Sequence, residues 1–189
     1  MIGLFGGAFD PPHRGHVEVA RRAKAELGLE RLLVLVAAQP GHKDVTTPAD
    51  ARLRLAQAAF PDDDVVLDEH ARTIDLLEAR PELSDPVFLI GADEFCDFLS
   101  WKQPNEVLAR TRLAVATRPG FPRERLESVL QQLDQPDRVL FYEIEPQDVA
   151  SRELRRRLEA GEDVGNDVPS AVAAIIDRDM LYGRGTGVH

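Results

Sequence analysis

The sequence predicts an α/β fold: a single Rossmann-like, doubly wound parallel sheet with helices on both faces. Two observations carry that reading. Short apolar runs of strand length recur along the chain, continuous rather than alternating, as in strands covered on both faces. Between them lie segments of helical period with short connections, and strand–helix alternation of this kind builds a parallel sheet.

The elements follow in order. Ile2-Gly3-Leu4-Phe5 is the first strand, Arg31 to Ala37 the second and Val65 to Leu67 a short third. Val87 to Ile90, Leu113 to Ala116 and Val139 to Phe141 complete the set. Val17, Ala20, Ala23 and Leu27 share one face of a helix that Gly28 can end. Leu53, Ala56 and Phe60 share a face of another, with Asp50 as its cap and Pro61 as its stop. Leu126, Val129, Leu130 and Leu133 mark a later helix, Leu154 and Leu158 the next, and Val172, Ile175 and Ile176 the last. Residues 1–189 read as one domain, with terminal helices over about 150–182 and a frayed tail at 183–189.

Composition narrows the function classes. Of 189 residues, 43% are hydrophobic and 30% charged, and 23 Lys+Arg against 33 Asp+Glu give a net charge of −10. That suits a globular domain and argues against disorder and against duplex nucleic acid as the main partner. No apolar stretch approaches the roughly 20 residues of a membrane span, and no secretory signal is evident. Cys96 stands alone, which fits a reducing cytoplasm.

In such a sheet ligands sit at the carboxyl ends of the strands. After the first strand comes Gly6-Gly7-Ala8-Phe9-Asp10-Pro11-Pro12-His13-Arg14-Gly15-His16, leading into the first helix. Adjacent glycines let backbone N–H groups approach a ligand, and a helix starting near Pro12 aims its positive end at the same place. His13 and His16, three residues apart, project from one side of a first helical turn, about 4.5 Å apart along the axis. Gly15 leaves out a side chain that could block the ligand. Two imidazoles plus backbone donors at a strand end suit a polyphosphate. No G-x-x-x-x-G-K-[ST] or G-x-G-x-x-G competes, and a zinc site of the two histidines with Asp10 lacks further ligands.

The segment Gly6 to His16 resembles the G-G-T-F-D-P-x-H-x-G-H signature of the nucleotidyltransferases related to class I aminoacyl-tRNA synthetases. Later segments follow collinearly: Gln39-Pro40-Gly41-His42-Lys43, Arg72-Thr73-Ile74-Asp75, Ile90-Gly91-Ala92-Asp93 with Trp101, Arg118-Pro119-Gly120, Val149 to Arg155, and Val168-Pro169 through Leu181-Tyr182. Together they are similar to the motifs of the bacterial nicotinate-nucleotide adenylyltransferase family over nearly the whole chain. Ala8, Gly41, Arg72, Ala150 and Arg152 depart from its usual Thr, Pro, Tyr, Ser and Thr.

The resemblance implies transfer of AMP from ATP to nicotinate mononucleotide, releasing pyrophosphate, in NAD biosynthesis. It assigns catalysis to His13, His16 and Arg155. It assigns ATP binding to Gly6, Gly7, Phe9, His16, Gly91, Asp93, Arg118, Ser151 and Arg155, and the pyridine mononucleotide to Lys43, Thr73 and Trp101. Mg²⁺ is expected on the triphosphate, with no metal ligands from the protein. Homo-oligomerisation stays open. The alternatives are a sibling adenylyltransferase for another phosphomonoester and a nucleotide-binding protein with weak catalysis.

Overall fold

A computed structural model describes residues 1–41 and 45–183. The expected alternation runs Ile2–Gly7 (β1), Arg14–Leu27 (α1), Arg31–Ala37 (β2), Ala49–Ala59 (α2), Asp64–Asp68 (β3), Thr73–Ala79 (α3), Val87–Gly91 (β4) and Ala92–Cys96 (α4). It continues through Pro104–Arg110 (α5), Arg112–Thr117 (β5), Arg123–Leu130 (α6), Val139–Glu143 (β6), Ser151–Glu159 (α7) and Ser170–Arg178 (α8). The six strands form one parallel sheet in the order β3-β2-β1-β4-β5-β6. The doubly wound expectation holds. β1 and β4 are neighbours with Gly3 opposite Val87 and Phe5 opposite Leu89, and the strand order turns between them. An open sheet of this kind takes its ligand beyond the carboxyl ends at that turning point.

The chain packs as two compact units. The first comprises Met1–Gly6, Glu18–Leu33 and His70–Pro146, the second Gly7–Val17, Val34–Glu69 and Gln147–His189. In the first, every residue of β4 from Val87 to Ile90 and of β5 from Leu113 to Ala116 is buried, which explains their unbroken apolar runs. Phe95, Phe98, Val107 and Leu108 complete that core. In the second, α2 packs on α8, burying Leu55, Ala56, Val172 and Ile176, and Arg54 reaches Asp179 at 3.5 Å.

Several boundaries differ from the sequence-based expectation. The first helix opens at Arg14 rather than near Pro12, because the His13 carbonyl is the acceptor that starts it, taking the N–H groups of His16 at 2.9 Å and Val17 at 3.2 Å. His13 is therefore the capping position, one step outside the first turn. Asp50 is not the cap of α2 either. The Pro48 carbonyl takes Arg52 N–H at 3.0 Å, and Asp50 lies inside the first turn, paired with Arg54 at 3.0 Å. Leu133 falls beyond α6. The sequence reading did not find α3, α4 and α5, which have only 7, 5 and 7 residues, too few for a helical period to emerge. Of the expected frayed tail, all but Gly183 lies outside the described residues. Among the described residues no helix is long and apolar enough to cross a membrane.

Candidate active site

In the second unit the turn after β1 folds around the Asp10 carboxylate, which is 1% exposed. Its Oδ2 accepts the Thr46 N–H at 2.8 Å and its Oδ1 the Tyr182 hydroxyl at 2.7 Å. Arg155 Nη1 donates to the Asp10 carbonyl at 2.8 Å and lies 3.8 Å from Oδ2. A buried carboxylate demands such partners, and here they come from three separate stretches of chain.

The two histidines are stacked, with ring centroids 3.8 Å apart. Nδ1 of His16 accepts the His13 backbone N–H at 3.2 Å. A neutral His16 therefore carries its proton on Nε2. Phe9 is buried, takes the left-handed conformation at φ +51°, and sets the edge of its ring against His16 at 5.1 Å and Phe60 at 5.8 Å. Phe9 thus braces an imidazole from behind. His13 is buried, and its Nδ1 has no hydrogen-bond partner among the described residues. Burial pulls its pKa from 6.5 down to about 4, against an upward pull from Asp167. A buried, unpartnered ring nitrogen is costly to leave unsatisfied.

The glycines of the motif also make room for neighbouring side chains. A Cβ at Gly15 would lie 3.0 Å from Cε1 and Nδ1 of His13, so Gly15 seats that ring. A Cβ at Gly7 would lie 2.9 Å from the Phe9 ring. In the first unit a Cβ at Gly6 would meet Phe88 at 3.2 Å.

At the start of α7, Ser151 Oγ donates to the Pro11 carbonyl at 2.9 Å, and Arg155 one turn on is almost fully buried. The neighbouring arginines are otherwise engaged. Arg156 pairs with Glu153, and Arg157 pairs with Asp167 at 2.7 Å.

Arg52 was not anticipated. Only 1% exposed, it donates to the carbonyls of Ala8 at 2.9 Å, Ala37 at 2.8 Å, Ala38 at 3.2 Å and Thr47 at 3.0 Å. One guanidinium thereby ties the turn after β1 to the end of β2 and the entry to α2. Its five donors in a rigid fork make this possible. The available signal was an arginine in register with Leu55, Ala56 and Ala59 on the apolar face of α2.

In the first unit the remaining predicted residues form two groups. Gly91 ends β4 with open space around its α-carbon, and Asp93 follows in the first turn of α4. The Asp93 carboxylate is exposed and stands 3.5 Å from Arg118 and 3.6 Å from Arg125, whose guanidinium also lies over the Phe121 ring at 5.4 Å. Trp101 is half-buried, edge-on to Phe88 at 6.1 Å and Phe98 at 5.2 Å. Thr73 begins α3, and the 2.9 Å ion pair of Asp75 with Lys102 ties that helix to the segment carrying Trp101. Lys43 lies outside the described residues.

The family match makes this α/β chain, with its histidine-bearing turn after β1 and a buried arginine on a late helix, a nucleotidyltransferase. The cytidylyltransferase-like model matches residues 4–157, and the chain belongs to that family. Within it the chain sits among the nicotinate-nucleotide adenylyltransferases. It is 35% identical to a protein of Rubrobacter xylanophilus named a probable nicotinate-nucleotide adenylyltransferase, covering 96% of this chain and 91% of that one. It is 36% identical to one of the same name from Thermus thermophilus, covering 96% and 98%. The fold matches the Plasmodium falciparum nicotinic acid mononucleotide adenylyltransferase complexed with NaAD at TM-score 0.74, with 20% identity over 96% of each chain. The same enzyme complexed with APC matches at 0.72.

Among the described residues no group of three or more His, Cys, Asp or Glu side chains could hold a metal ion. Asp10, the carboxylate next to the histidines in sequence, is already engaged with Thr46, Tyr182 and Arg155. The described residues do not fit a protein-held ion.

Proposed function

We propose that the chain joins the AMP part of ATP to nicotinate mononucleotide, forming nicotinate adenine dinucleotide and pyrophosphate in NAD biosynthesis. The observation that carries the reading is the buried His13 Nδ1, without a hydrogen-bond partner among the described residues, stacked on a His16 whose Nδ1 is taken by the loop backbone. Names and near-complete coverage of the relatives supply the substrate class.

In this reading the acceptor's 5′-phosphate oxygen attacks the α-phosphorus in line, and the α–β bridging bond breaks with its electron pair leaving on pyrophosphate. An ionised phosphate needs no base. The protein's task is alignment and charge stabilisation. His16 donates from Nε2 to the phosphates, and His13 offers its ring from the buried side. Arg155 neutralises charge on the leaving pyrophosphate, with Ser151 holding the loop through Pro11. Gly6, Gly7 and Phe9 shape the turn. Gly91, Asp93 and Arg118 serve the adenosine, and Trp101, Thr73 and Lys43 the pyridine mononucleotide. A divalent ion, Mg²⁺ by chemistry, travels on the triphosphate and is held by it. The chain works as one nucleotidyltransferase domain in a reducing cytoplasm.

The test is direct. Purified protein with ATP, Mg²⁺ and nicotinate mononucleotide should release pyrophosphate and form the dinucleotide stoichiometrically. Turnover with nicotinamide mononucleotide or phosphopantetheine and none with the nicotinate compound would reject the acceptor and keep the class. ATP binding with no turnover for any acceptor would reject the enzyme.

A further inference from the structure

We propose that Tyr182 is a positioning residue for adenylyl transfer, acting through the Asp10 carboxylate to hold Arg155 at the phosphate-binding turn. The inference rests on the reading of Arg155 as the group facing the leaving pyrophosphate, and it brings in a residue beyond the 4–157 span of the family model.

The chain of contacts is short. The Tyr182 hydroxyl donates to Asp10 Oδ1 at 2.7 Å, and Thr46 N–H takes Oδ2 at 2.8 Å. The carboxylate is left with its Oδ2 3.8 Å from Arg155 Nη1, while that nitrogen donates to the Asp10 carbonyl at 2.8 Å. Asp10 is 1% exposed, so water does not replace a lost partner, and the field of the carboxylate on Arg155 is little screened. Removing the phenol hydroxyl frees one carboxylate oxygen to swing, and the guanidinium follows it.

The local backbone shows that this placement is enforced. After α8, both Met180 at φ +49° and Tyr182 at φ +61° sit in the left-handed region, which neither side chain favours. Met180 is 82% exposed, so its own burial does not hold the turn. The buried end is Tyr182. Burial and the neighbouring Asp10 both raise its pKa, while a hydrogen bond with Thr47 opposes them, so the phenol stays a donor at neutral pH. α8 is itself anchored to α2 through Arg54 and Asp179, so the turn leaves from a fixed point.

The experiment is a double-mutant cycle on pyrophosphate release with saturating ATP and nicotinate mononucleotide, using Tyr182→Phe, Arg155→Ala and the pair. Expected is a kcat loss of about five- to tenfold for Tyr182→Phe that disappears in the Arg155→Ala background, with little change in KM for nicotinate mononucleotide. A loss equal in both backgrounds, or none in the first, overturns the proposal, because a purely structural role is additive. No effect of Arg155→Ala alone overturns the underlying reading of the site instead. Thermal unfolding of each variant checks that it is folded at the assay temperature. If Tyr182→Phe is not, Asp10→Asn takes its place in the same cycle with the same expected and overturning outcomes.

Discussion

His16 Nδ1 accepts the backbone N–H of His13 at 3.2 Å, so the loop itself dictates which face of the His16 ring can donate. In the proposed mechanism, replacing His16 by Ala removes a preorganised donor to the phosphates. The expected loss in kcat is about 10²-fold, near 3 kcal/mol, comparable with loss of an oxyanion-hole donor. His16→Gln, whose amide nitrogen reaches toward the Nε2 position, should retain more turnover than His16→Ala. Equal activity of the Ala variant and the parent in a pyrophosphate-release assay would contradict the role given to Nε2.

His13 supplies a pH dependence with a defined sign. Its pKa is about 4 in the folded protein and near 6.5 when unfolded. Between those values only the unfolded chain takes up the proton, so stability falls as pH drops from 6.5 toward 4. Fully developed, the difference is roughly 3 kcal/mol. In His13→Gln this component should vanish and the pH profile of urea midpoints should flatten over that window. In the proposed site ATP places negative charge beside the ring, so it should raise the His13 midpoint in an NMR titration. An unchanged midpoint with ATP bound would place the phosphates elsewhere.

Gly15→Ala separates stability from activity. The new Cβ lies 3.0 Å from the His13 ring, which must move. In α1 itself, alanine is the better helix former, by roughly 0.5–1 kcal/mol. The melting temperature should therefore hold or fall slightly, while kcat drops about tenfold from the displaced ring. A fall in both, in proportion, would point to general unfolding.

Arg52 is where stability should be most sensitive. Replacing it with Met keeps much of the volume but strips partners from the carbonyls of Ala8, Ala37, Ala38 and Thr47. Leaving such buried acceptors unpaired should cost about 3–5 kcal/mol in urea unfolding. A loss under 1 kcal/mol would show that water reaches these carbonyls.

What the sequence made legible followed from strong local signals. The unbroken run Leu32 to Val36 and its counterparts at Val87 and Leu113 specify strands buried on both faces, and β2 falls at the expected Arg31 and Ala37 limits. The His13–His16 pair was legible because its spacing and its place after a strand are both local. Its geometry was not. His13 caps α1 instead of lying within it, since two prolines precede it and its own carbonyl takes the first helical bonds. Arg52 and the Tyr182–Asp10 bond stayed hidden for a different reason: Asp10 and Tyr182 are 172 residues apart, and nothing periodic announces such a partner. The short α3 at Thr73 read as loop because seven residues show less than two full turns.

Trp101 gives a test of the acceptor side that needs no enzyme turnover. It is the one tryptophan in the chain, so intrinsic indole fluorescence reports that residue alone. The ring is half-buried, held edge-on by Phe88 and Phe98, which leaves it fixed in orientation and partly open to solvent. A pyridine ring stacking on it should quench the emission in a saturable way. Offset stacking of two rings adds up to about 1.5 kcal/mol, so Trp101→Ala should raise KM for nicotinate mononucleotide about tenfold with a smaller change in kcat. Trp101→Phe should recover most of the difference. If nicotinate mononucleotide leaves the emission unchanged while turnover is normal, the pyridine ring binds away from this indole.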